Sequence, residues 1–149
     1  MSSIAKKFIN TPHFAVVGAS IAKEKFGNKV LKWYQSNGLD VTPVNPVNKK
    51  QDRNKEDVIE NLKTVKSINE LPNPKETALS VITPPKVTLK VLQDAKMIGI
   101  ENVWIQPGGE DEKVIQFIND NKSTLNVIYG GPCILVKGSS LLQNYRGRL

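Results

Sequence analysis

Five short apolar runs, each ending in small residues, proline or amides, constrain this chain more than any other feature. Phe14–Val17 stops at Gly18, and Leu39–Val44 is closed by Pro43 and Pro46. Thr77–Thr83 runs into Pro84-Pro85, Glu101–Gln106 into Pro107-Gly108-Gly109, and Leu125–Tyr129 into Gly130-Gly131-Pro132. Runs this short and this apolar read as strands buried on both faces. Helical patterns separate them. Phe26–Asn37 puts Phe26, Val30, Leu31 and Tyr34 on one stripe and stops at Asn37-Gly38. A helix to Ile98 is predicted after Pro84-Pro85, capped by Thr83, with Val87, Val91, Ala95 and Ile98 inward. Asp111–Asn121 turns Val114, Phe117 and Ile118 inward and carries acids at its positive end. Lys55–Leu62 reads as a short helix, and Val65–Leu71 as an extended piece followed by one helical turn. Cys133–Val136 reads as a short apolar piece before a short helical tail.

Strands alternating with helices imply right-handed crossovers and a parallel sheet. The expected fold is α/β: a Rossmann-like, doubly wound, mostly parallel five-stranded sheet with helices on both faces. One domain over residues 1–149, with a core at about 14–138, accounts for the whole chain of 149 residues. No repeat or low-complexity linker interrupts it.

Composition narrows the function. The single cysteine, Cys133, has no internal disulfide partner, and one Cys with one His cannot build a Cys/His zinc cage. Neither a membrane span nor a secretory h-region is visible, so a reducing, cytoplasmic setting is expected. The formal net charge is +7, and only Arg53, Arg146 and Arg148 among the 21 basic residues are arginine. Specific nucleic-acid readers lean on arginine forks, and these lysines are scattered. A solvated lysine surface is one reading and attraction of a multiply phosphorylated small molecule the other. No nucleic-acid or membrane partner is expected.

In a doubly wound sheet, ligands sit beyond the carboxyl ends of the strands. No strand here ends in Asp, Glu or His, so these ends are suited to hold a ligand rather than to move its protons. Glu110 and Asp111 stand at a helix start, where capping accounts for them. The loop Gly18-Ala19-Ser20 fails the dinucleotide fingerprint. Its second glycine is replaced, and Asn45-Pro46 stands where an acid would hold a ribose. It is either a plain tight turn or a phosphate cradle at a helix start, with Lys25 adding charge.

Taken in order, these motifs resemble the small stand-alone CoA-binding proteins, relatives of the CoA-binding domain of the succinyl-CoA synthetase α subunit. The markers are Val17-Gly18-Ala19-Ser20, Lys25, Pro43-Val44-Asn45-Pro46, Val81-Ile82-Thr83-Pro84-Pro85, Val103-Trp104-Ile105-Gln106-Pro107-Gly108 and Cys133. The resemblance implies CoA or acyl-CoA as ligand. It assigns Gly18, Ala19, Ser20, Ile21 and Lys25 to the ADP phosphates, and Asn45, Pro46 and Lys49 to the adenine and 3′-phosphate. Thr83, Pro84 and Pro85 fall at the ligand's middle, Gln106 and Gly108 along the pantetheine. A carboxylate after the second strand would repel the 3′-phosphate, and none is there. The chain departs from the pattern at Gly130-Gly131-Pro132, at Pro107, and at Lys25, where some relatives carry Arg.

A non-catalytic carrier, sensor or regulatory module is the function this implies, with a nucleotide- or NAD(P)-dependent enzyme as the alternative. His13 precedes the first strand, at the wrong end of the sheet for catalysis in the crevice. Synthetase relatives use a phosphorylated histidine from a further domain, which this chain does not carry. Cys133 is either a small apolar packing residue or a thiol near the pantetheine end.

Overall fold

The computed structural model describes residues 2–45 and 58–146. Helix α1 (Ser2–Ile9) leads into strand β1 (His13–Val17), helix α2 (Phe26–Ser36) and strand β2 (Val41–Val44). A two-stranded hairpin follows, β3 (Val58–Ile59) and β4 (Leu62–Lys63), then 3₁₀ turns at Ile68–Glu70 and Pro74–Glu76. The remainder is β5 (Thr77–Val81), α3 (Pro85–Ile98), β6 (Asn102–Ile105), α4 (Glu112–Asp120), β7 (Asn126–Ile128) and α5 (Ile134–Tyr145).

The main sheet is parallel throughout, in the order β2-β1-β5-β6-β7. This is the doubly wound, Rossmann-like architecture expected from the alternation. The order reverses between β1 and β5: the chain leaves β1 for β2 on one side, then returns to place β5 on the other. That reversal opens a crevice above the carboxyl ends of β1 and β5.

Period-two alternation divides the core. Phe14 and Val16 of β1 join Ala5, Phe8, Tyr34, Trp104, Ile134 and Leu141 on the α1, α2, α5 face. Ala15 and Val17 join Leu79, Val81, Val91, Leu92, Val103, Ile105 and Val114 on the α3, α4 face. Strand β5, buried at every residue, is the sheet's central strand. Of its two polar side chains, Thr77 donates to the Asn73 carbonyl at 2.6 Å, and Ser80 meets the Tyr34 hydroxyl at 2.6 Å with both Ser80 and Tyr34 sealed from solvent.

Four expectations need correction. The segment around Lys55–Leu62 is not a helix over its described part. Glu60 and Asn61 have φ of 51° and 66° and turn the β3–β4 hairpin, a two-residue turn with both central residues left-handed. Cys133–Val136 is not a separate apolar piece: Cys133 stands at the position before α5, without a side-chain cap bond, and Ile134 begins the helix. Thr83 does not cap α3. Pro84 holds that place, and the Thr83 hydroxyl pairs with that of Thr88 at 2.7 Å. That bond lets Thr88 turn inward with Val91, Leu92 and Ala95, while Val87 is 46% exposed. Helix α1, absent from the expected elements, packs through Ala5, Phe8 and Ile9, and the Phe8 ring meets Trp104 edge-on at 5.5 Å. Val65–Leu71 follows expectation: Val65 bridges Val44, and Ile68–Glu70 form one turn.

Candidate functional site

The crevice begins at Gly18, which leaves β1 with φ of +94°. Its amide donates to the Val44 carbonyl of β2 at 3.1 Å, and the Ile82 amide donates to the Val17 carbonyl at 2.8 Å. Gly18 is thus tied to both neighbours of β1. A methyl group on it would collide with the Ile82 carbonyl oxygen. Gly27, buried in the first turn of α2, lies against the Gly18 carbonyl so closely that a side chain there would overlap it. It takes the close-packing role that the last glycine plays in dinucleotide-binding loops.

Three side chains hold the loop. Asn45 Nδ2 donates to the Ala19 carbonyl at 2.6 Å. Asn28 Nδ2, on a residue only 3% exposed, donates to the Ser20 carbonyl at 2.9 Å. The Ser20 hydroxyl accepts the Ala22 amide at 3.1 Å, closing a local turn. Ile21 projects from the loop, 64% exposed. Lys25 is the residue before α2 and its side chain is exposed. No side chain caps α2, and its first turn contains no acid. A helix start left in that condition is suited to an external anion.

Sequence reasoning missed two members of this neighbourhood, Asn28 and Glu60. The hairpin tip carries Glu60 to the start of α2, where its carboxylate accepts from Asn28 Nδ2 at 2.9 Å. Lys23 and Lys32 each place Nζ 3.4 Å from it, and Gln35 donates to its backbone carbonyl at 2.8 Å. The Asn28 hydrogen bond is the main cause that holds the Glu60 carboxyl below its ordinary range, with both lysines adding to it. A carboxylate therefore does reach the crevice region, from a hairpin and not from a strand end. With two lysines and an amide engaged, it braces the loop and is poorly placed to take a proton from a ligand. The available signal was the Glu-Asn pair, which tolerates a left-handed turn only at its Asn.

Further along the crevice, the Gln106 amide nitrogen of the backbone donates to Val81 at 3.0 Å, extending the β5–β6 ladder past β6. The Gln106 side chain is 1% exposed and accepts the Ile134 amide at 3.0 Å, so it caps α5 from a strand end. Its Nε2 is buried without a partner. Gly108 is exposed with φ of +96° and open space where a Cβ would stand. The adjacent Gly109 is buried, with Ile105 only 2.7 Å from that position.

The structure thus brings Gly18, Ala19, Ser20, Asn45, Thr83 and Gln106 to one end of the sheet. Pro85 departs from this group: it lines an open groove of about 740 Å³ between α3 and α4 with Leu89 and Asp111–Lys113. Pro46 and Lys49 lie outside the described residues. Asp111 caps α4 by accepting the Val114 amide at 2.9 Å, and Glu110 accepts the Gly130 amide at 3.0 Å, so both acids have structural partners. His13 sits at the opposite end of the sheet, hydrogen-bonded to Asp40. Among the described residues there is no group of His, Cys, Asp or Glu able to hold a metal, and no helix long and apolar enough to cross a membrane.

Comparison with known proteins agrees with this geometry. The family model described as CoA binding domain matches residues 12–139. No curated protein matches the chain. A conserved hypothetical protein from Pyrococcus furiosus is 37% identical, with a TM-score of 0.71 over 84% of this chain and 97% of that one. A hypothetical protein from Pyrococcus horikoshii shares the fold at 23% identity, with a TM-score of 0.77 over 95% of this chain and 92% of its own. A Thermus thermophilus protein does so at 20% identity and a TM-score of 0.74, over 95% and 98%. The family match spans the sheet from just before β1 into α5, including every described strand end that forms the crevice, and the chain belongs to the CoA-binding domain family.

Proposed function

We propose that this protein binds CoA or acyl-CoA across the carboxyl ends of β1, β5 and β6, as a carrier, sensor or regulatory module. The observation that carries the proposal is the start of α2. Its N-cap residue makes no side-chain cap and its own first turn carries no acid, the nearby Glu60 carboxylate is already engaged by Asn28, Lys23 and Lys32, and it lies beside a glycine loop pinned at the point where strand order reverses. In this reading the loop Gly18–Ile21 and Lys25 receive the pyrophosphate. Asn45 acts by fixing Ala19, with Pro46 and Lys49 toward the adenine and 3′-phosphate. Thr83 and Pro84 flank the ligand's middle, Gln106 offers its free N–H to the pantetheine, and Gly108 leaves the exit open. Pro85 is assigned less directly, since it lines the α3–α4 groove.

A binding role suits the chemistry better than a catalytic one. The carboxylate at the loop is committed to Asn28, Lys23 and Lys32. One domain suffices for such a role, and a cytoplasmic setting belongs to this reading.

Thermal shift with CoA, acetyl-CoA, NAD⁺, NADP⁺ and ATP tests the proposal. A ligand at a hundred times its Kd adds about 2.7 kcal/mol to native stability. For a chain of this length that is a rise in Tm of roughly 5–11 °C. CoA and acetyl-CoA are expected to give it. A rise with NAD⁺ or NADP⁺ alone would replace this reading with the nicotinamide one.

A further inference from the structure

We infer that Cys133 exchanges with a disulfide of CoA, so that the protein carries CoA covalently as a Cys133–S–S–CoA adduct. This rests on the CoA reading above and adds to it a site of modification.

Two independent features meet at Cys133. The first is its place. It is half-buried, it precedes α5 at the carboxyl end of the sheet, and it is the chain's only cysteine, so no other thiol of the chain competes for it. The second is Gln106. Because Gln106 Oε1 accepts the Ile134 amide, the orientation of its side-chain amide is fixed, and Nε2 is the end left over. That N–H is sealed from water directly beside the Cys133–Ile134 peptide. An unpaired buried donor is costly to keep in a folded protein. Such an atom in a folded protein marks a missing acceptor. Pantetheine supplies two amide carbonyls of the kind required.

The reach agrees. From phosphate oxygen to sulfur the pantetheine arm has about twelve bonds, the backbone length of four residues, roughly 14 Å extended. Adjacent strands lie about 4.8 Å apart, so β6 and β7 stand roughly 10 and 14 Å from β1. A pyrophosphate at the Gly18 loop therefore delivers the sulfur to the β6–β7 end, where Cys133 precedes α5. Beside it, Gly130 and Gly131 are exposed, with open space over both, so the second half of a CoA disulfide has room outside the crevice.

The step balances without a further oxidant. The Cys133 thiolate attacks one sulfur of the symmetrical CoA disulfide, and that S–S bond breaks as the Cys133–S–S–CoA bond forms. The released CoA thiolate takes up the proton that Cys133 gave to solvent. One disulfide and one thiol enter, and one of each leaves.

Intact-protein mass spectrometry on the full chain follows the reaction with CoA disulfide and, in parallel, with glutathione disulfide, which lacks the adenosine diphosphate. Calorimetry with reduced CoA on Cys133→Ser measures binding apart from the exchange. The expected result is a single reductant-sensitive CoA adduct, absent in Cys133→Ser. It should form at least about tenfold faster than the glutathione adduct, because binding presents the sulfur to the thiol. Excess acetyl-CoA should slow it, and Gln106→Met should slow the CoA reaction more than it slows the glutathione reaction. Equal rates for the two disulfides, or no protection by acetyl-CoA, with reduced CoA still binding Cys133→Ser, overturn the Cys133 inference alone. Failure of reduced CoA to bind overturns this inference together with the CoA reading.

Discussion

Gly18 and Gly108 form a matched pair for testing the crossing of β1 and β5. Both have nearly the same backbone, with φ of +94° and +96°. They differ in what a side chain would meet. At Gly108 a methyl group finds nothing within 4 Å, whereas at Gly18 it lands on the Ile82 carbonyl. Alanine at either position pays about 1–2 kcal/mol for the left-handed backbone. Only Gly18→Ala adds overpacking, typically about 1–3 kcal/mol, because the oxygen belongs to backbone whose amide is tied to the Val17 carbonyl and cannot easily swing aside. The totals are about 1–2 kcal/mol for Gly108→Ala and about 2–5 kcal/mol for Gly18→Ala. A domain with roughly 5–15 kcal/mol of stability survives the first and is seriously weakened by the second. Urea unfolding of both variants beside the wild type measures the difference directly. Equal losses would mean that the Gly18 loop does not press on Ile82, and the geometry assigned to the crevice would be wrong.

Three further outcomes are expected. Lys25→Ala should leave the melting temperature of the free protein within about 2 °C, since Lys25 is exposed, yet weaken CoA by roughly three- to tenfold in calorimetry; unchanged affinity would remove Lys25 from the site. Tyr34→Phe leaves the Ser80 hydroxyl buried without its partner and should cost about 1–3 kcal/mol, part of which returns in Tyr34→Phe/Ser80→Ala; a double variant no better than the single one would refute the pairing. Glu60 has a folded-state pKa below the ordinary 4.5, so its stabilising contribution is present above pH 4.5 and is lost as pH falls through that lower folded value. Melting curves of Glu60→Gln should therefore lie below wild type near neutral pH and converge with it in acid, and a constant offset at every pH would refute the assignment.

The sheet was legible because its five strands are apolar runs punctuated by Gly and Pro, and such runs have few alternatives once a parallel sheet must bury both faces. The crevice was legible for the same reason, since the strand ends could be read one by one. What escaped was decided by contacts between distant segments. Helix α1 has eight residues and no acid in its first turn, and its burial is against Phe14 of the next strand and against Trp104, far along the chain. The segment ending at Leu62 favours a helix by composition. It forms a hairpin in which Glu60 and Asn61 turn left-handed and Glu60 is bonded to Asn28, Gln35, Lys23 and Lys32. Helix α5 runs unbroken from Ile134 through Gly138 to Tyr145, where an apolar piece and a separate short tail were expected. That glycine is in the helix because the Trp33 ring occupies the space a Cβ would need. The inward turn of Thr88 depends on a hydroxyl partner, which no periodicity of apolar residues can reveal.

The two strands flanking β1 are reached by very different routes. β2 follows after one helix, but β5 begins only at Thr77, after β2, the hairpin and both 3₁₀ turns. Closure entropy grows only with the logarithm of contour length, by about 0.6 kcal/mol for each doubling. The long return path could therefore gain or lose many residues at small thermodynamic cost, while a one-residue change between β1 and α2 would displace Gly18, Gly27 and Asn28 together. Length changes on the stretch between β2 and β5 should thus be tolerated where they leave in place the Glu60 brace and the Val65–Val44 bridge. That stretch is where descendants of this architecture are free to alter which ligand the crevice accepts without rebuilding the sheet beneath it.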